Sequence, residues 1–505
     1  MPPLSPMSKT CVALAISQLL ALPSLSHATT IVVNSNTDDG VGCTLREAIV
    51  SANTSVDQNN GCALGSNSGT DTITFSNGLP SNTITLVNGR ILVSPNKDIA
   101  INASANTDGI TINANKASRV LTVNSSSLTL DNLTLTGGLI EGGESNGGGV
   151  LAYSSTLTLN NTTVSGNTAS RRGGGIAAAS STINLYDSAV NNNLSTGGES
   201  TGANGGGISA GTAGSINITN STVSGNTAFR VGGIYASSVN VTLSHSVMRS
   251  NAALDQNFSE GGAIHIRNQA SLTVNNSTLS GNSAQDGGAI AALSGPTISV
   301  NNSTLSDNSA ASRGGGIWVV GYLTPRATTL TLNNSTLSGN SAASRGGGIN
   351  SYGSTVILNQ TTLSANSAAT GGAGIVASHG FNDTGTLTLN NSIIANSAGG
   401  DCYYRRTSAP VIIDSASIIE DGSCNANRSG DPGLLRLANN GGPTQTHALA
   451  ANSMAINTGN ISNCTDTDQR GATRDSLCDV GAFEFVDTSF FVVPLKNGKS
   501  VIFGL

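Results

Sequence analysis

The feature that most limits what this chain can fold into is a phrase that keeps returning. Residues 330–349 read LTLNNSTLSGNSAASRGGGI, residues 271–290 read SLTVNNSTLSGNSAQDGGAI and residues 297–317 read TISVNNSTLSDNSAASRGGGI, with looser copies from about Leu128 to Asn396. Self-similarity at a period of tens of residues marks a stacked repeat, and it decides the architecture before any single residue is weighed. Such an array grows by adding units rather than by enlarging one core. The 505 residues therefore give no domain count.

The repeat can be counted in columns. The residue closing the glycine-rich phrase is Val150, Ile176, Ile208, Ile234, Ile264, Ile290, Ile317, Ile349 and Ile375, in steps of 26, 32, 26, 30, 26, 27, 32 and 26. A second column, an Asn three residues after an aliphatic one, comprises Asn167, Asn193, Asn226, Asn251, Asn282, Asn308, Asn340, Asn366 and Asn396. Each unit holds three short strands, in one copy at 330–332, 335–337 and 347–350. Three strands per turn, with no helix and too few strands for a propeller blade, predict an all-β chain folded as a single-stranded parallel β-helix. Right-handedness follows from the bias of parallel crossovers. About nine regular coils are expected, preceded by irregular ones.

In each unit Leu330 and Leu332 are two apart and point inward together, while Thr329, Thr331 and Asn333 point out. A strand of three residues is stable only because the coils on either side complete its hydrogen bonds. An Asn at the same place in every coil, as at Asn167, Asn226, Asn282, Asn308, Asn340 and Asn366, is predicted to stack into an amide ladder. The glycines before the closing Ile relieve crowding at a corner or supply positive φ. The NNST phrases match the N-glycosylation pattern, but turn chemistry explains them with fewer assumptions.

Composition and the two ends complete the outline. With 62 glycines, 3% aromatic and 10% charged residues, the chain suits many turns and thin aliphatic layers. A net charge of -6 without a basic cluster excludes a nucleic-acid partner. Residues 1–28 have the pattern of a signal peptide: Lys9, an apolar run at 12–22 and Ser26-His27-Ala28 as cleavage site. That apolar run is too short to span a bilayer. The mature chain is thus expected to be exported and to lack a transmembrane span. Cys11 leaves with the signal, and the remaining six cysteines form close pairs whose simplest connectivity is Cys43–Cys62, Cys402–Cys424 and Cys464–Cys478.

After a short strand at 30–34, Leu45, Ala48, Ile49 and Ala52 recur at helical spacing, with Thr44 and Glu47 placed for a capping box. The segment Cys43-Thr44-Leu45-Arg46-Glu47-Ala48 resembles the CSLREA motif of secreted bacterial β-helix proteins, with Thr for Ser. The resemblance implies a helix that caps the first coil. The GGAI phrases at 261–264 and 287–290 and the GGGI copies resemble the repeats of polymorphic outer-membrane proteins of the chlamydial type. The partner phrase differs, having Leu, Val, Met or Ile where that family has Phe. This resemblance implies a pectate-lyase-like β-helix at a cell surface. Residues 439–485, with NGGPTQTHALAANSMAIN, DQRGATRD and CDVGAFEF, resemble the choice-of-anchor region of bacterial surface proteins. Its Asp468, Arg470, Arg474, Asp479 and Glu484 are expected to form Arg–carboxylate pairs closing the last coils.

The resulting division is a signal peptide at 1–28, a cap at 29–70, the repeat array at 71–400, disulfide-containing C-terminal coils at 401–485, and a tail at 486–505. There Asn497-Gly498 between two apolar runs signals a hairpin.

Outward positions are where chemistry could lie. Four residues before the closing Ile come Asn146, Arg172, Asn204, Arg230, Glu260, Asp286, Arg313, Arg345 and Gly371, which predicts cross-coil pairs Arg230–Glu260 and Asp286–Arg313. One and three residues after it come Tyr153, Tyr235, His265, Arg267, Trp318 and Tyr352 on one face, a set suited to sugar rings or a protein partner. Of these, Tyr235, His265, Arg267, Trp318 and Tyr352 are the candidate ligand-binding residues. Lengthened loops at 195–204, 252–260, 321–328 and 378–385 would flank them. No nucleophile elbow, zinc motif, phosphate loop or calcium loop occurs. No catalytic residue, metal or cofactor is assigned.

The leading expectation is a non-enzymatic, monomeric protein of the cell surface, outer membrane or extracellular space, adhesin-like or an envelope component, with a glycan or surface-protein ligand. The alternative is a carbohydrate-active enzyme, a polysaccharide lyase or glycoside hydrolase on the same fold. An enzyme should show three or more converging charged groups with perturbed pKa values in a groove, and an adhesin isolated pairs.

Overall fold

The computed structural model describes residues 29–504 apart from 57–60, 67, 143–144, 199–203, 322–326, 379–384, 406–410, 487–489 and 495–499. The expected signal peptide lies outside the described residues. So do 199–203, 322–326 and 379–384 within three of the four lengthened loops.

Inward aliphatic residues two apart form the strands, and the coils stack them into parallel ladders. The first ladder carries the closing residues, as in Val150–Tyr153, Ile264–Arg267 and Ile349–Tyr352. The second carries the Leu-x-Leu pairs, as in Thr329–Asn333. The third, a ladder of 13 strands, includes Thr336–Ser338. The fold is therefore a parallel β-helix, nearly all strand. Each regular coil also has a fourth strand, as at Ser341–Ala342, forming a nine-stranded ladder of its own and correcting the expected three per coil. A two-residue Ser-Ala or Thr-Ala strand has no alternation to announce it.

Leu330, Leu332, Leu337 and Ile349 are fully buried, and their counterparts in other coils join them in one continuous core. Beside this core run two polar ladders. Asn167 Nδ2 donates to Asn193 Oδ1 at 3.1 Å, and the chain of amides continues through Asn226, Asn251, Asn282, Asn308 and Asn340 to Asn366 at 2.9–3.0 Å. Each Oδ1 also accepts the backbone N–H of the preceding Asn, as in Asn282 N to Asn308 Oδ1 at 3.0 Å. Asn396 does not join; its N–H goes to Glu420 and its amide to Ser364. The serine of the NNST phrase forms a second ladder. Ser188, Ser221, Ser246, Ser277, Ser303 and Ser335 each accept the N–H of the equivalent residue one coil earlier at 2.9–3.2 Å. These hydroxyls and amides pair backbone groups that would otherwise be buried unsatisfied where the chain turns.

Helix Leu45–Thr54 covers the first coils with Leu45, Ala48, Ile49 and Ala52. Its capping box is complete: Thr44 N donates to Glu47 Oε2 at 2.9 Å and Glu47 N to Thr44 Oγ1 at 3.3 Å. Asn53 then stands in for a strand, donating to Leu92 O at 2.8 Å and accepting from Ser94 N at 2.9 Å along Ile91–Val93. An open edge is thereby partly paired.

At the other end the stack stops sooner than the expected coils at 401–485. Cys402–Arg405, Val411–Ile413 and Ile418–Ile419 complete its final turn. The chain then folds back to the coil at Asn302 and from there runs forward again along the outside of the third ladder. Thr444 Oγ1 donates to Asn302 O at 3.0 Å, Asn334 Nδ2 to Thr467 O at 3.0 Å, and Gly481 N to Asn391 O at 2.8 Å. Gln469 is fully buried between coils, accepting from Thr336 Oγ1 at 2.6 Å and donating to Thr304 Oγ1 at 2.9 Å. Strands Thr304–Ser306, Thr336–Ser338 and Thr362–Ser364 are buried on both faces under this strap, whereas Thr163–Ser165 and Thr278–Ser280 alternate. Disulfides join Cys43 to Cys62, Cys402 to Cys424 and Cys464 to Cys478. Strands Phe490–Pro494 and Ser500–Gly504 pair antiparallel as a hairpin.

Candidate functional site

The outer face of the first ladder is set by register. One row runs Leu151, Ala177, Ser209, Tyr235, His265, Ala291, Trp318, Asn350, and the other Tyr153, Ala179, Gly211, Ser237, Arg267, Leu293, Val320, Tyr352. The predicted aromatic set does lie on this face, but it divides into three different environments.

At one end Trp318 is only 6% exposed, packed with Ala291 and Val320 and flanked by Leu293 and Tyr352. Arg313 sits over its ring at 5.4 Å and pairs with Asp286, Nη2 to Oδ2 at 3.1 Å. Trp318 is therefore a packing residue rather than a platform open to a ligand, which corrects the sequence reading. A bulky ring beside small Ala291 is worth more buried than exposed.

In the middle lies a polar cluster. His265, 3% exposed, presents Nδ1 to Glu260 Oε2 at 3.3 Å, and Arg230 Nη2 approaches the same oxygen at 3.9 Å. The Tyr235 and His265 rings meet edge to face, centroids 5.6 Å apart. Burial, aided by Arg267 and Arg230, pushes His265 down to about 3, so the ring is neutral. Burial raises Glu260 from the ordinary carboxylate range, opposed by Arg230 and Arg267 and reinforced by Asp286. His265 Nε2 and Arg267 Nε are buried without a hydrogen-bond partner. Four groups thus converge, more than the isolated pairs expected of an adhesin.

At the other end is a trough enclosing about 390 Å³. Tyr153, 40% exposed, and Tyr235 stand three rungs apart, roughly 14 Å along the axis. Between them the small residues Ala177, Ala179, Ser209 and Gly211 make the floor, with Asn146 and Arg172 on a wall. No carboxylate, histidine or cysteine among the described residues lines it. The sequence reading noted Arg172 and Asn146 only as members of a charge column and missed the floor. Its signal is that both rows carry small residues at the same two successive coils, Ala177 with Ala179 and Ser209 with Gly211.

The charged residues near the C-terminus are structural in placement. Arg474 Nη1 bonds Glu484 Oε2 at 2.8 Å with both side chains buried, Arg470 Nη2 meets Asp468 Oδ2 at 2.7 Å, and the Arg470 guanidinium lies 3.7 Å from the Phe483 ring. Asp479 accepts from Asn457 N at 2.7 Å and from Phe485 N; burial pushes its carboxyl up to about 6. No group of three or more potential metal ligands occurs among the described residues.

No family model and no curated protein matches this chain. Among solved structures, the crystal structure of pectate lyase Pel9A is similar at 14% identity and a TM-score of 0.40, over 91% of this chain and 97% of that one.

Proposed function

We propose that this chain is an exported, non-enzymatic β-helix protein that holds an extended saccharide at the trough between Tyr153 and Tyr235. The trough carries the reading: two aromatic side chains flank a floor of small residues, and no carboxylate, histidine or cysteine among the described residues lines it. Sugar rings offer C–H faces to tyrosines and hydroxyls to Asn146, Ser209 and Arg172. Three disulfides, and no helix among the described residues long and apolar enough to cross a membrane, support an extracellular or surface setting. The CSLREA-like cap and choice-of-anchor-like end support the same setting.

A glycan-array screen of the purified chain, repeated with Tyr153→Ala and Tyr235→Ala, tests the proposal. Binding to an oligosaccharide that both substitutions weaken at least tenfold is expected. Binding that survives both would move the site elsewhere.

One observation favours a second reading, that of a carbohydrate-active enzyme. The Arg230–Glu260–His265–Arg267 cluster adjoins Tyr235 and contains a carboxyl raised by burial. Release of reducing ends or unsaturated sugars from a polysaccharide, lost in Glu260→Gln, would establish that reading and displace the first.

A further inference from the structure

The arginines on this face are not equivalent. Arg230 approaches Glu260 and Arg313 is held by Asp286. Arg172 has no carboxylate partner among the described residues, and its neighbours along the column are Asn146 and Asn204, both neutral. It is exposed and stands on the wall of the trough. Beside it Asn146 Oδ1 is buried with no hydrogen-bond donor. One coil beyond Ser237 at the far end, Arg267 Nε is also buried without an acceptor. Among the described residues, the wall of a site without an acid thus carries a guanidinium with no carboxylate partner next to an orphaned acceptor.

We infer that the trough selects a saccharide bearing carboxylates, with Arg172 taking the carboxylate of one sugar and Asn146 Oδ1 accepting a hydroxyl of the same sugar. The inference rests on the saccharide-binding reading and deepens it. A guanidinium presents two parallel N–H groups that match a carboxylate, and such charge-assisted pairs are roughly twice as strong as neutral hydrogen bonds. A neutral sugar could satisfy Asn146 but would leave the charge of Arg172 uncompensated. Tyr153 and Tyr235 supply ring contacts to either kind of sugar. Arg267 lies one coil past the trough, where a longer acidic chain continuing along the axis would bring a further carboxylate.

Calorimetric titration of the full chain with a uronic-acid hexasaccharide and with the neutral hexasaccharide of the same linkage tests this. The acidic oligomer should bind about tenfold more tightly or better, the scale of one hydrogen bond to a charged group. Arg172→Gln should abolish that preference, bringing the affinity for the acidic oligomer down to that for the neutral one. Tyr235→Ala should weaken both ligands. Equal affinity for the two oligomers, or a preference that survives Arg172→Gln, overturns the inference and leaves saccharide binding intact. Failure of both oligomers to bind removes the saccharide reading and the inference together. Tighter binding of a sulfated hexasaccharide than of the uronate would show that the site reads charge density rather than a carboxylate, and would also overturn it. Thermal melts matching the parent chain establish that each variant is folded.

Discussion

His265 directs Nδ1 at the Glu260 carboxylate, 3.3 Å away, while its other ring nitrogen has no hydrogen-bond partner among the described residues. The pair joins two groups with opposite linkage to pH. His265 in the native state titrates near 3, well below the ordinary 6.5, so the unfolded chain takes up its proton first. Its contribution is fully present above about 6.5 and is lost as pH falls from there towards 3. Glu260, raised by burial, acts in reverse: it favours the native state at low pH and loses that contribution as pH rises through its elevated pKa. Denaturant unfolding at pH 7.5 and pH 4.5 should therefore show a smaller acid-induced loss in His265→Gln than in the parent chain. Equal losses would contradict the neutral, buried imidazole.

Trp318 is predicted to matter for stability and not for binding. Truncation to Ala in a packed site costs about 3–5 kcal/mol, less where neighbours relax, and Tyr352 and Arg313 border the space left here. Equilibrium unfolding of Trp318→Ala should show a loss of at least about 2 kcal/mol, with affinity for any trough ligand within twofold of the parent.

Asn282 sits in mid-ladder. It accepts from Asn251 N and Nδ2 at 3.0 Å each and donates to Asn308 Oδ1 at 2.9 Å. Asn282→Ala strands a buried N–H, which by itself costs about 1–3 kcal/mol. Hydrogen exchange should be fastest at the Asn251 amide relative to the parent.

The glycine phrase separates two demands that the sequence reading left as alternatives. Gly346 takes φ +64°, whereas Gly347 has no such angle but a Cβ there would run into the carbonyl oxygen of Ser367. Gly347→Ala should cost about 1–3 kcal/mol through backbone displacement alone. Gly78→Ala, where the nearest atom is 3.7 Å away, should stay within about 0.5 kcal/mol.

Gln469 ties the strap to the stack. Gln469→Ala leaves Thr304 and Thr336 hydroxyls under the strap without their amide partner. Limited proteolysis should cut residues 444–485 faster in this variant, with the stack itself intact. Unchanged protection would assign the hold to the buried Arg474–Glu484 pair instead.

What could be read from the sequence follows the range of the interactions. Leu330 and Leu332 announce their strand because alternation is local, and Thr44 and Glu47 announce the helix start because a capping box spans three residues. The Asn column was visible because its members repeat. Ser303 repeats equally well, yet its phrase also suits an ordinary turn, so its ladder was hidden by a sufficient local explanation. The path of the strap depends on contacts between Gln469 and Thr304, 165 residues apart, which no periodicity encodes. Outward direction was legible for Trp318, but not its burial, which depends on what Ala291, Val320 and their neighbours pack around it. Arg172 could have been singled out from its column alone, since its neighbours Asn146 and Asn204 offer it no countercharge.

A stack in which each coil touches only its neighbours frays from its free end, one rung at a time. The strap changes this arithmetic over the stretch it covers. Because one segment bonds at once to Asn302, Asn334, Thr362 and Asn391, no single rung between them can open without straining the others. That stretch of the stack should melt as one block, while coils with a bare third ladder, such as those at Thr163 and Thr222, keep the gradual, zipper-like opening of a linear lattice.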